Sequence, residues 1–381
     1  MMFSPNVRVR EVELAKCFAV HTDVFALDRS DALPRTKQGF IGKLCMRAKL
    51  WNCATRVIEE GALTRFRMRI SGATGPFWNR LSACFNQRKL EGALRRFGCT
   101  HVFLSSPFFF LPPPRGKRDY HVHFDLVDNF HDEWPDGLVG RSRRAFLRQA
   151  MRNADTLSGS SHSLCDHAEL LAGRQAAWAP NAAPTDRFAR FTNEDGTEIR
   201  TRLGLSGRFV IGFVGNHNME FVGTRILLEA FSKARERRPE LALLLVGPGS
   251  ETFTTDCGIG RDQGVWSIGP VPPDEVPAYF RACDAGIHPY DLRPLTHDAT
   301  PLNVIEFSYC AKPMLCSPLR ELQRLALPNL RFAKDGSVQA WACALSDPAT
   351  FADFDRDALA LAIAPFDWRL SADVIRREMG L

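Results

Sequence analysis

The second half of the chain alternates short apolar runs with amphipathic stretches, and this alternation restricts the fold more than any other feature of the sequence. Strands are expected at Phe209 to Val214, Leu241 to Val246 and Val265 to Gly269, with helices at Thr224 to Arg237 and Asp274 to Cys283. Repeated β-α units of this length build a parallel sheet covered on both faces. Ligands of such sheets bind outside the carboxyl ends of the strands. Gly215-Asn216-His217-Asn218, Gly247-Pro248-Gly249 and Gly269-Pro270-Val271 all fall there, and glycine lets the backbone approach a ligand closely. None of them reads Gly-x-Gly-x-x-Gly, so a dinucleotide site is only weakly indicated.

The chemistry concentrates between Asp284 and Glu321. Ala285 to Tyr290 is an apolar run that suits a buried parallel strand opening into a loop. Thr300 and Pro301 offer an N-cap hydroxyl and a proline for the first helical position, predicting a helix through Leu302, Asn303 and Glu306 to Tyr309. Lys312-Pro313 stops it, Met314 to Cys316 is the next strand, and Ser317-Pro318 starts another helix. A strand, a loop and a helix start in that order make an anion site, because free N–H groups and the positive helix end face the loop. Glu306 lies where a carboxylate can accept hydrogen bonds from a sugar or ribose diol, and Asp298 comes eight residues earlier. From residue types alone both also read as a loop carboxylate and a solvated helix residue.

The spacing of an acid, seven residues, a Glu on a helix, then Lys-Pro and a small apolar strand resembles the nucleotide-sugar site of GT-B glycosyltransferases. It is most similar to the group 1 retaining enzymes that build bacterial surface polysaccharides. Their usual pattern is Glu-x7-Glu followed by Gly-x-Pro-Val-Val; here Asp298 and Glu306 stand for the acids and Ala311-Lys312-Pro313-Met314-Leu315 for the strand approach. The register holds over Phe209 to Glu321 and more weakly over Val102 to Phe188. Asp125 to Phe130 resembles the family's Tyr-Asp-x-x-Asp segment, and Ala179 to Phe188 its Pro-Asn-Gly-Val-Asp-x-x-x-Phe segment without the glycine and valine.

The resemblance implies two Rossmann-like, doubly wound parallel-sheet domains facing across a cleft: an acceptor domain over 1–190, a donor domain over 205–350, and a helical return over 351–381. It implies a glycosyltransferase moving a sugar from a nucleotide diphosphate donor to a lipid-linked or oligosaccharide acceptor, with Asp128 and Asp298 as catalytic residues. Donor binding would fall to Gly215, Asn216, His217, Gly247, Gly249, Gly269, Val271, Arg293, Thr300, Pro301, Leu302, Asn303 and Glu306. Where the family commonly supplies an Arg and a Lys after the first donor-domain strand, this chain has Asn218 and Val222, leaving the leaving-group charge to the helix end with Arg293 or Arg225. No cofactor is expected and no metal is implied, since no carboxylate pair is spaced to bridge one to the phosphates. A nucleotide-sugar epimerase on the same scaffold and a non-catalytic nucleotide-sugar-binding member of an assembly complex stay open as alternatives.

Charge sets the remaining expectations. Residues 1–203 carry 31 Lys+Arg against 21 Asp+Glu and residues 204–381 carry 18 against 22, so the basic excess belongs to the first half. Between Arg35 and Arg96 it is interleaved with Phe40, Trp51, Phe66, Phe77, Trp78 and Phe85, which suits an anionic membrane face or a diphosphate-linked acceptor. No nucleic-acid motif accompanies it. The charged N-terminus lacks the apolar core of a signal peptide, predicting a cytoplasmic protein, and the basic, aromatic stretch suits the inner face of the cell membrane. Eleven cysteines without a Cys-x-x-Cys pair predict reduced thiols. Arg35 to Phe97 reads as mostly helical, and Thr192 to Ser206 as a polar hinge. Phe108 to Phe110 reads as an acceptor lip or a core cluster, and His121 with His123 as core histidines rather than a metal pair.

Overall fold

A computed structural model of the chain describes residues 2–3, 9–21, 24–29, 56–60, 63–68, 76–105 and 110–381. It divides into two compact units, one of Met1–Pro180 with Trp368–Leu381 and one of Asn181–Asp367.

The second unit is a six-stranded parallel sheet built from β9 (Phe209–Val214), β10 (Leu241–Val246), β11 (Val265–Ser267), β12 (Ala285–His288), β13 (Met314–Cys316) and β14 (Leu330–Phe332). The spatial order is β11-β10-β9-β12-β13-β14, every adjacent pair parallel, so the winding reverses between β9 and β12. All six residues of β10 are buried, as expected for a strand covered on both faces. Helices Thr224–Arg235 and Val338–Ser346 pack on each other over a core that includes Leu227, Phe231, Leu243, Ile287 and Trp341. The expected hinge at Thr192 to Ser206 contains a helix instead, Asn193–Leu203. Thr192 and Asp195 form a capping box at its start, Gly204 closes it in the left-handed region, and Ile199 supplies its buried contact. It packs on Val276–Ala282, where the backbone of Arg281 and Ala282 comes so close that only the bare backbone of Gly196 fits.

The first unit contains two four-stranded sheets. One has β1 (Met2–Phe3), β2 (Val24–Arg29), β3 (Arg56–Glu60) and β4 (Leu63–Met68) in the order β1-β2-β4-β3; the other runs β5 (His101–Leu104), β6 (His121–Leu126), β7 (Thr156–Gly159) and β8 (Ala177–Trp178) in sequence. The β3–β4 pair is antiparallel and lies inside the stretch expected to be helical. In Leu63–Met68 the residues Thr64, Phe66 and Met68 alternate with Arg65 and Arg67, the period of a strand, and among the described residues of that stretch only Pro76–Phe97 is helical. Apart from these strands and that helix, the basic, aromatic stretch lies outside the described residues. Phe110 belongs to the core of this unit, while Phe108 and Phe109 lie outside the described residues. Helix Trp368–Met379 packs on helix Val9–Ala19.

The helix Val9–Ala19 is tied to β6 by a buried ion pair. Arg10 donates from Nε and Nη2 to the two carboxylate oxygens of Asp125 at 2.8 and 2.9 Å, and to the carbonyls of Ala179 and Pro180 at 2.7 and 3.0 Å. Ser158 Oγ donates to Asp125 at 2.6 Å and sits 2.8 Å from His123 Nε2. His123 therefore spends both ring nitrogens on Thr156 and Ser158, and His121 Nε2 lies 2.9 Å from Thr156 Oγ1. Burial pushes His123 down to about 4, so it is neutral and structural. Among the described residues no helix is long and apolar enough to cross a membrane, and the nine described cysteines form no disulfide.

Candidate functional site

The expected donor residues of the second unit meet at the carboxyl edge of its sheet. Loops after β9, β10 and β11 are stitched by Gly215 N–H to Val246 O (2.9 Å), His217 N–H to Pro248 O (2.8 Å) and Gly247 N–H to Gly269 O (2.7 Å). Glycine is required at two of these points. At Gly247, φ +124°, a Cβ would lie 2.0 Å from Gly215 O, and at Gly249, φ +88°, 2.3 Å from Asn218 Oδ1. Asn216 accepts from Asn218 N–H at 3.0 Å, and Val271 is half-buried beyond Gly269. The imidazole of His217 is fully buried, edge-on to Phe213, and burial pushes it down to about 4. It is neutral at physiological pH and brings no positive charge to a phosphate.

β12 lies beside β9 and delivers the other group. After His288 the chain passes Tyr290, the short helix Pro294–His297 and Asp298, and enters the helix Leu302–Tyr309. Pro301 is the N-cap here, not the first helical residue, and no side chain caps the helix. Pro301 is extended, and its carbonyl takes the first helical bonds from Val304 and Ile305. The amides of Leu302 and Asn303 precede those bonds, and proline itself has no N–H to offer. Thr300 Oγ1, expected to cap, is buried without a hydrogen-bond partner among the described residues, as is His217 Nε2. Asn181 Nδ2 holds the approach by donating to Thr300 O at 2.9 Å.

Glu306 is half-buried in the second turn of this helix, and burial pushes its carboxyl up to about 7 against the opposing influence of Arg187. A carboxylate held at that cost is a functional candidate, because a ligand donating hydrogen bonds would favour its charged form. Asp298, 3% exposed, ends the Pro294–His297 helix and pairs with Arg320 at 3.2 Å. Arg320 and Arg187, the latter at a variable position of the Ala179–Phe188 segment, are not marked by residue pattern; only packing brings them to the two acids. Of the cations expected to meet leaving-group charge, Arg293 lies over Phe221 at 5.8 Å and exposed Arg225 over Phe253 at 6.0 Å. Val222 is buried in a bridge to Tyr290 and cannot act as a substitute cation. A cavity of about 270 Å³ beside Pro289, Tyr290 and Trp341 uses none of the expected donor residues.

Ala311, which stands where the resembling pattern has glycine, is one of two described non-glycine residues at positive φ, +49°. A left-handed alanine costs about 1–2 kcal/mol, of which glycine would return part to its greater unfolded-state freedom. Ala311→Gly should therefore raise stability by about 0.5–1 kcal/mol. A lower melting temperature would show that the turn is unstrained.

In the first unit Asp128 is half-buried two residues beyond β6, its carbonyl accepting from Phe130 N–H at 2.9 Å. Asp125, the first acid of the same segment, is committed to Arg10.

Residues 208–354 match the family described as glycosyl transferases group 1. The matched stretch lies within the second unit. A protein of Bacillus subtilis assigned to teichuronic acid biosynthesis as a glycosyltransferase, TuaH, is 26% identical over 218 residues, and the chain spans about half the length of this curated relative (53% of each). The fold is GT-B: HepE of Anabaena, solved with UDP and glucose, superposes with a TM-score of 0.69 at 15% identity over 100% of this chain and 98% of its own. A glycosyltransferase of Rickettsia africae gives 0.68 at 12% identity over 99% and 96%.

Proposed function

We propose that the protein transfers a sugar from a nucleoside diphosphate donor to a lipid-linked or oligosaccharide acceptor in polysaccharide or glycan biosynthesis, with retention at the anomeric carbon. One observation carries this reading: an uncapped helix start at the switch point of a doubly wound sheet, with a half-buried carboxylate in the helix's second turn. The helix start and the Thr300 hydroxyl take the diphosphate, and Glu306 takes the ribose diol. Asp298 reaches for the donor sugar, with Arg320, its ion-pair partner, and Arg293 compensating for the missing Arg and Lys. The acceptor oxygen bonds to the anomeric carbon as the bond to the β-phosphate oxygen breaks, and that phosphate takes the acceptor's proton. No bound cofactor or metal enters the step. HepE was solved with UDP and with UDP-glucose, which supports a uridine nucleotide as the first donor to try.

The test is UDP binding by calorimetry. Glu306→Gln removes charge-assisted hydrogen bonds worth roughly 1.5–3 kcal/mol, so affinity should fall about 10- to 150-fold with the fold intact. The sign of the pH effect follows from the raised carboxyl. Binding uses its charged form, so wild-type affinity should climb as pH rises through about 7 beyond any rise shown by the Gln variant, which reports the phosphate's own ionisation. Equal affinities and equal pH profiles would remove Glu306 from the site.

A second reading, nucleotide-sugar binding without transfer, is favoured by Asn218 and buried Val222 in place of cations. It predicts saturable UDP binding and no UDP release from any donor. The basic excess of residues 1–203 further supports work at an anionic membrane face. Pelleting with anionic vesicles should then decline as salt rises, since Debye screening shortens to about 3 Å at 1 M, and salt-independent pelleting would dismiss the electrostatic component.

A further inference from the structure

We propose that His131, Asp132 and His167 of the first unit form a site for a divalent transition-metal ion of the Zn²⁺ type, clipping the turn after β6 to the helix His162–Ala172. His131 and Asp132 sit on the four-residue helix Phe130–Glu133, and His167 comes from the middle of the other helix, 35 positions later. Each offers a ligand atom, and the three atoms lie within 4.8 Å of one another. His131 Nδ1 is 2.7 Å from one Asp132 oxygen and His167 Nδ1 3.9 Å from the other. The imidazole rings meet edge-on with centroids 5.4 Å apart.

Two features favour an ion over a simple hydrogen-bonded pair. Both histidine side chains are largely buried, 15% and 11% exposed, while the carboxylate between them is 46% exposed, so the cluster is dry on its nitrogen side and open on its oxygen side. The carboxylate is also pre-oriented: Asn129 Nδ2 donates to Asp132 Oδ2 at 3.0 Å, and Asn129 Oδ1 accepts from Asp132 N–H at 3.1 Å. That is the kind of outer partner that holds metal ligands in place.

The donor set decides the ion class. Two imidazoles with one carboxylate suit Zn²⁺ and its first-row neighbours, whereas Mg²⁺ and Ca²⁺ require oxygen-rich shells. Bonds of about 2.0–2.2 Å place tetrahedral ligand atoms about 3.4 Å apart, so the 2.7 Å contact must open and the 3.9 Å contact close by less than about 1 Å. Side-chain rotation suffices for this. Water would complete the shell. The consequence is mechanical: the turn that begins at Asp128 would be pinned to its neighbouring helix, whatever reaction the protein performs.

The full-length chain, stripped with a chelator, is titrated with Co²⁺ and Zn²⁺ alone. Expected are one ion per chain, visible Co²⁺ ligand-field bands without a thiolate charge-transfer band, and a higher melting temperature with Zn²⁺. Loss of an outer partner costs about 10- to 100-fold in metal affinity, so His167→Ala, which loses a ligand, should cost more than about 100-fold. His167→Gln keeps the packing volume and should lose the ion equally while melting, metal-free, like the wild type. Absence of saturable binding, unchanged binding in both variants, or a thiolate charge-transfer band would each overturn the site.

Discussion

Asp125→Ala should lower the melting temperature by roughly 6–20 °C, corresponding to about 3–5 kcal/mol for a buried charge left without its partner. Arg10 is 5% exposed and Asp125 fully buried, so the guanidinium stranded by the substitution cannot recover its hydration. The penalty reflects a stranded charge more than the strength of the pair. Replacing both residues by apolar ones, Arg10→Met with Asp125→Leu, should therefore restore much of the loss. A double variant as unstable as the single one would place the cost in lost packing instead. Acid should act in the same direction. Burial alone would raise the Asp125 carboxyl, yet the Arg10 guanidinium, with Ser158 donating, holds it below the ordinary range. Its stabilisation is thus complete above the unfolded carboxylate value of about 3.9 and is lost as pH falls through the lower folded value. An Asp125→Ala variant whose stability falls as steeply in acid as the wild type would contradict this.

Asp128→Asn, three residues further on, is expected to behave in the opposite way. It should leave melting temperature and UDP affinity unchanged and reduce transfer about a hundredfold, because misplaced reactants lose rate without losing binding. This rests on the proposed function, in which Asp128 orients the acceptor and the departing phosphate takes the proton. The competing role is a turn carboxylate that supports the loop after β6. That role predicts a lower melting temperature with normal activity per folded molecule. Measuring both quantities on the one variant decides between them. Run beside Asp125→Ala, it also tests whether two acids of a single segment divide into one structural and one functional.

Much of this was legible along the chain. The parallel sheet of the second unit follows from hydrophobic periodicity, which is local, and β9 and β10 begin and end where the apolar runs do. The glycine-rich loops and the helix before Lys312-Pro313 announce themselves by residue type, since turns and helix ends demand particular backbone conformations. Local rules failed where two periods compete. Arg56–Glu60 and Leu63–Met68 were charged enough to pass for helix until pairing with each other and with β2 made them strands. They failed again at Thr300, whose hydroxyl suits a cap, whereas Pro301 in extended form holds that position and no side chain caps the helix.

Tertiary structure alone decided which polar residues matter and how. Asp125 and Asp128 share a motif, but only folding brings Arg10 from 115 positions away to neutralise the first and leaves the second beside the end of its strand. Glu306 acquires its raised carboxyl from burial, a property of surroundings rather than of spacing. His131 and His167 meet for the same reason: sequence determines periodicity and local conformation, whereas electrostatic environment arises from what the chain packs together.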